Sequence, residues 1–179
     1  MRKILVALVL SATLLAAAEP ASAARVTDKP SLEQAVVKRM NAVRRNHGLR
    51  KLRVVRGLSR AAERHAASMG ARAYFRHELF TPRRSPRWTG FGGWIRWFYP
   101  GPGFRSWSAG ENLAWGAPRI NARQAVRRWM RSPGHRRNLL TRGWRHVGVG
   151  VVHVRNPAGY FRGFPEVTIV VAEYGRRSR

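Results

Sequence analysis

Three side chains in this sequence have the chemistry of a metal or acid/base site: His77, Glu111 and His135. Glu111 stands out first. Between Leu79 and Pro165 the chain has sixteen arginines and no other acidic residue. Two imidazoles and a carboxylate are suitable ligands for Zn²⁺, with a further position open to water. The same groups can instead share protons as an acid/base cluster. Spacing does not decide between these, because the residues lie far apart and no short motif such as H-E-x-x-H joins them. Capping or solvation explains a single His or Glu well, and on composition alone is the favoured reading. No Ser or Cys nucleophile with a suitable neighbour is evident, which disfavours covalent catalysis.

The elements that must position these groups can be read from periodicity. Ser31 is expected to open a helix, with Gln34 as its capping-box partner. Leu32, Val36, Met40 and Val43 share one face of it. Gly48 supplies the stop, which leaves His47 a capping role. A second helix is expected from Gly57 to Met69, with Leu58, Ala62, His65, Ala66 and Met69 on its inner stripe. His65 there reads as a packed core histidine rather than a ligand. Asn121 and Gln124 form a capping box for a third helix, with Ala122, Val126, Trp129 and Met130 facing inward. Ser132-Pro133 ends that helix and can begin a short one, with His135 in its first turn. Val147–Val154 and Val167–Tyr174 read as an antiparallel strand pair. Helices followed by strands indicate an α+β domain.

The segment Thr81 to Trp107 has no regular period and is rich in Gly, Pro, Arg and aromatic rings. It reads as a long ordered loop whose rings fold back over the core. Trp94, Trp97 and Phe98 have i, i+3, i+4 spacing around Arg96, which leaves open a surface contact with anionic lipid.

Composition bounds the setting. Arg2 and Lys3, an apolar run from Ile4 to Ala18 and the small residues Pro20–Ala23 make a signal-peptide pattern over residues 1–23. Cleavage near Ala23 would give a secreted chain. Residues 24–30 then read as a linker, 31–175 as one domain and 176–179 as a basic tail. Without cysteine, packing alone must hold the exported fold. Removing Arg2, Lys3 and Glu19 leaves 33 basic and 7 acidic residues, a net charge of +26. Such a surface attracts polyanions: anionic envelope components, lipid or nucleic acid. The arginines are scattered rather than gathered into a recognition motif, so no specific nucleic-acid recognition is expected.

A series of landmarks runs in order along the chain: Asn41–Arg44 with Gly48-Leu49, then His65-Ala66 and Met69, then Phe75-Arg76-His77. Gly110–Gly116 (GENLAWG), Trp129-Met130, Ser132–Arg136 (SPGHR), Asn138–Leu140 and Val147–Gly150 follow. Together they resemble the CAP superfamily, or SCP domain, and its cysteine-free bacterial branch, over about Ser31 to Gly175. The resemblance implies a three-layer α-β-α sandwich. It also implies a central cleft of two histidines and two acidic residues. His77, Glu111 and His135 match three of those positions and would be the ligands of a divalent cation, with Zn²⁺ the expected ion. Ser132 stands where many members have the fourth, a glutamate, and Glu173 on the last strand is a further candidate to approach the cleft. Ala172-Glu173 also replace a frequent Thr-Gln pair. Members of the family are mostly secreted binders of lipids, sterols or other partners, with no shared reaction. The expectation is a non-enzymatic extracellular binding module; a metal-assisted hydrolase using the same cleft is the alternative.

Overall fold

The computed structural model describes residues 24–81, 87–99 and 101–179. The leader expected over residues 1–23 lies outside them, as does the middle of the aromatic loop at 82–86. Helix α1 spans Pro30–Asn46. It begins at Pro30, whose fixed φ suits the first turn. Lys29 takes the cap position with no side-chain bond, so the expected Ser31–Gln34 capping box does not form. Val36 and Met40 are buried, with Leu32 and Val43 packed beside them. Gly48 adopts a φ of +66° just past the helix end, as expected of a stop.

Helix α2 spans Arg56–Arg72 and buries Leu58, Ala62, His65, Ala66 and Met69 on one stripe. Helix α3, Ala122–Arg131, carries the expected reciprocal cap: Asn121 and Gln124 each accept from the other's backbone N–H at 2.9 Å. Helix α4, Pro133–Leu139, follows at once and places His135 in its first turn.

The strands are β1 (Arg25–Asp28), β2 (Arg53–Val54), β3 (Leu79–Thr81), β4 (Arg87–Thr89), β5 (Ser106–Gly116), β6 (His146–Arg155) and β7 (Glu166–Ser178). The main sheet has the order β1-β6-β7-β5, with β2 also pairing β6. β6 and β7 form the expected antiparallel pair. Two expectations are corrected here. The stretch 24–30 is no free linker, because β1 pairs antiparallel with β6. Nor does the domain end at 175, because Arg176–Ser178 of the basic tail continue β7 and pair with Ser106–Ser108. Both segments gain backbone hydrogen bonds that an isolated strand would lack. At the start of the aromatic loop, β3 and β4 pair antiparallel as a small separate two-stranded sheet.

The chain is a three-layer α-β-α sandwich of the α+β class. α1, α3 and α4 cover one sheet face, burying Met40, Trp129, Leu139, Val147, Val149, Val151 and Tyr174. α2 covers the other, against Val152, Val154, Ile169 and Val171. The alternation along β6 and β7 follows from the two-residue period of a strand. Gly148 and Gly150 set how closely α2 can approach. A Cβ at Gly148 would lie 2.0 Å from the Leu58 carbonyl carbon, and one at Gly150 2.3 Å from that of Ala62. The V-G-V-G run thus removes two side chains from beneath the helix and lets its backbone rest on the strand.

Candidate functional site

Glu111 lies near the middle of β5, a strand for which Ser, Gly, Ala and Asn have little intrinsic preference. Pairing makes it a strand: all eleven residues align with β7. In that register Glu111 sits opposite Glu173, and Glu173 is in turn opposite Gly148 of β6. Because Gly148 and Gly150 let α2 settle onto the sheet, His65 reaches Glu111 from above.

Both Glu111 oxygens are engaged. His65 Nδ1 donates to Oε2 and His77 Nδ1 donates to Oε1, each at 2.6 Å. His65 is fully buried, whereas about half of the His77 side chain faces solvent. Burial pushes the Glu111 carboxyl up, but the hydrogen bonds of His65 and His77 and the charge of His65 outweigh it and hold the carboxyl below its ordinary range. The hydrogen bond to Glu111 raises the His77 pKa against the opposing effect of burial. Glu173 is fully buried, and neither of its oxygens has a hydrogen-bond partner among the described residues. Burial, and then the charge of Glu111, push its carboxyl well above the ordinary range. The two carboxyls influence each other's ionisation, yet no hydrogen bond of good geometry joins them.

Above this pair opens a cleft of about 390 Å³ lined by His77, Phe91, Gly110, Glu111 and Asn138. Gly110 is required there, since a Cβ would meet Asn138 Oδ1 at 2.5 Å and the Trp144 ring at 2.8 Å. α4 is fastened to β5 on the face opposite α2. Asn112 Nδ2 donates to the His135 carbonyl at 3.0 Å, and Asn138 Nδ2 donates to the Glu111 carbonyl at 2.9 Å. The buried Arg44 of α1 adds a clamp, donating to the carbonyls of Leu139 and Thr141 at 2.7 and 3.1 Å. Along β5 the carbonyls of alternate residues are capped from the helices: Glu111 by Asn138, Leu113 by Trp129 Nε1 and Trp115 by Arg128.

Of the three expected site residues, the structure joins His77 and Glu111. The His135 imidazole makes no hydrogen bond or ion pair with the described residues. Burial, followed by the charge of His77, lowers its pKa. The three expected residues are thus not all joined by direct hydrogen bonds; Glu111 accepts from His77 and His65. His65 was legible only as a core residue, and it is one, but its Nδ1 is also part of the site. Its signal was a histidine within a run of alanines on the inner stripe of α2. For Glu173 the signal was a carboxylate within the mostly apolar run Val167–Tyr174 of β7.

A divalent cation fits these residues at a deeper point than the cleft. His65, Glu111 and Glu173 bring ligand atoms within 4.8 Å of one another, all three residues buried. His65 Nε2 and both Glu173 oxygens are orphaned there. Imidazole and carboxylate donors of this kind suit Zn²⁺.

The cysteine-rich secretory protein (CAP) family matches residues 37–174. The chain belongs to the CAP family. Among curated proteins it is 33% identical over 120 residues to the uncharacterized protein YkwD of Bacillus subtilis (strain 168), covering 67% of this chain and 42% of that protein. Among solved structures, an extracellular SCP-domain protein from Bacillus anthracis str. Ames superposes with a TM-score of 0.61 at 23% identity, over 83% of this chain and 41% of that one. An outer surface protein of Borrelia burgdorferi gives 0.67 at 19% identity, over 86% of this chain and 98% of the other. This CAP domain thus corresponds to less than half the length of its Bacillus relatives. At these identities the two structures establish the shared fold. No helix among the described residues is long and apolar enough to cross a membrane.

Proposed function

We propose that this chain is a secreted, non-enzymatic CAP-domain binding module that docks on anionic material of the cell envelope. The reading rests on how the acidic residues are used. Of the seven that follow Ala23, Glu111 and Glu173 are buried. Glu166 is taken up by Arg155 at 3.2 Å and Arg119 at 3.7 Å. Glu33 accepts from the Val151 backbone at 3.0 Å. The surface arginines therefore meet few carboxylates, and the positive field extends outward to polyanions. The relatives described as extracellular or outer-surface proteins agree with this setting. The test is co-sedimentation of the mature chain with anionic vesicles and with purified wall polymer across a salt series. Binding should be present at low salt and fade as the Debye length shortens. No binding at low salt overturns the proposal.

A divalent cation, Zn²⁺ in the first instance, belongs to the same proposal, with His65, Glu111 and Glu173 as its holders and His77 at the rim. Bound there, the ion supplies charge neutralisation for two buried carboxylates. The hydrolase alternative draws support from one observation, the half-exposed His77 oriented by Glu111, an arrangement that can place a general base in an open cleft. Turnover of ester or peptide substrates that is lost in His77→Ala would favour it.

A further inference from the structure

A second concavity, of about 510 Å³, lies where β6 begins and β7 ends. It is walled by Arg53, Phe104, Arg145, His146, Arg177 and Arg179, and shares no residue with the Glu111 cleft. Four guanidinium groups come from three separate parts of the chain, and no acidic side chain is among the lining residues. Gathering like charges costs free energy, so what holds them in place is informative.

Arg53 Nη2 lies 3.0 Å from His146 Nε2, and His146 Nδ1 lies 2.8 Å from Tyr99 Oη. A guanidinium only donates, so Nε2 must carry the lone pair and Nδ1 the proton, which it gives to the tyrosine oxygen. The buried His146 is thus a neutral acceptor that pins an arginine instead of adding to the charge. Burial and the surrounding Arg53, Arg177 and Arg145 also push its pKa down, in agreement with that role. Arg177 lies 4.1 Å above the Phe104 ring and 5.1 Å from that of Tyr99. Such stacking restrains the flat face of the guanidinium. Arg145 Nη1 donates to the carbonyls of Arg142, Gly143 and Trp144 at 2.8, 3.3 and 3.1 Å. Three arginines are therefore held in place before any ligand arrives, which reduces the ordering cost of binding.

From this arrangement we infer that the concavity is a phosphate-binding site, made to take a phosphate monoester or diester group on the guanidinium N–H donors of Arg53 and Arg145, with the stacked Arg177 adding positive charge beside them. Guanidinium forks match the spacing of phosphate oxygens, and such charge-assisted pairs are the stronger hydrogen bonds. The inference rests on the envelope-docking reading and deepens it. It gives the docking a place and a ligand chemistry that is shared by lipid headgroups and phosphate-bearing polymers.

The test uses the mature chain. Inorganic phosphate and pyrophosphate are titrated at low salt while arginine side-chain and backbone NMR signals are followed. Saturable shifts centred on Arg53, Arg145, His146 and Arg177 are expected. Arg53→Ala with Arg145→Ala should weaken binding by about tenfold or more. Both side chains are exposed, so the fold should survive. Arg123→Ala with Arg127→Ala, two exposed positions of α3 with the same charge change, is the control and should leave affinity within about twofold. Equal losses in the two double variants, or shifts spread without saturation, overturn the site. Phosphatidic-acid vesicles and a soluble phosphodiester polymer form two further arms. A loss confined to the Arg53/Arg145 variant in either arm supports the site and names the source, and a loss in neither overturns it. Envelope binding that persists in that variant sinks the phosphate site alone. Localised phosphate binding with no envelope binding at low salt sinks the docking reading alone.

Discussion

Glu111 and Glu173 face each other across β5 and β7, both buried, one held ionised by two histidines and the other with its carboxyl pushed well above the ordinary range by burial. Two carboxyls in one low-dielectric space respond to opposite pressures. The folded chain keeps a proton on Glu173 to higher pH than the unfolded chain, which releases it near the ordinary carboxylate value of about 4.3. The contribution of Glu173 to stability is therefore full below that pH and declines as pH rises towards the folded value. Glu173→Gln should remove the decline. We expect its melting temperature to exceed the parent's by roughly 2–4 °C at neutral pH, about 1 kcal/mol for a chain of this size. The gap should widen from pH 5 to pH 8. Thermal unfolding of the two chains over that range checks it, and a variant less stable at pH 8 contradicts it.

Zn²⁺ binding should run against the same proton. A cation at His65, Glu111 and Glu173 needs Glu173 ionised, so binding should strengthen with pH and release a proton. Calorimetry in buffers of different ionisation enthalpy counts that proton. Glu173→Gln should weaken the affinity by at least about tenfold, by loss of a charged ligand. Unchanged affinity in the variant would place any bound metal elsewhere.

Glu111→Gln should affect both histidines bonded to it. An amide cannot accept from two imidazole N–H groups through both its termini, so one buried contact becomes donor against donor, at a cost of about 1–3 kcal/mol. The His77 pKa should fall back towards the ordinary value of about 6.5. His135, set by burial and by His77, should move far less. In the parent, the raised His77 value adds stability below about pH 6.5 that is lost as pH climbs through the folded value. Solvent screening of this half-exposed ring limits that contribution to about 1 kcal/mol or less. NMR titration of each histidine in both chains gives the result directly.

Gly148→Ala or Gly150→Ala should be severe for a one-carbon change. The new methyl group meets the α2 backbone, which cannot rotate aside as a side chain could. A loss of about 3 kcal/mol or more is expected, at the upper end for overpacking. The His65–Glu111 contact should loosen with it, visible in the His65 ring signals.

The aromatic loop calls for two single variants, because its tryptophans differ. Trp94 is fully buried against Leu58, Ile95 and Tyr99, whereas Trp97 is 52% exposed. Trp94→Ala should cost about 3–5 kcal/mol. Trp97→Ala should leave stability within about 0.5 kcal/mol. A loss of vesicle binding in Trp97→Ala alone would show that this ring touches a lipid surface.

The helices and the β6–β7 pair were legible because periodicity and caps are local signals, as Asn121 with Gln124 shows. β5 was not, because only its partner strand makes Ser106–Gly116 extended. The site divided in the same way. His77 and Glu111 were found through their family landmarks. His65 was correctly read as buried, but burial on an apolar stripe does not reveal what lies across the sheet. Glu173 becomes opposite to Glu111 only through the register of an antiparallel ladder, which no local pattern encodes.

The three side-chain donors along β5 have a bearing on assembly. The strand ends the sheet order and is eleven residues long, the kind of free margin on which a second chain could add itself and start a fibre. Asn138, Trp129 and Arg128 already occupy the carbonyls of Glu111, Leu113 and Trp115. Over this half of the strand an incoming chain would have to displace a buried indole and a part-buried amide to reach those carbonyls. The contacts that fasten helices α3 and α4 beside the cleft thus also protect this margin against polymerisation.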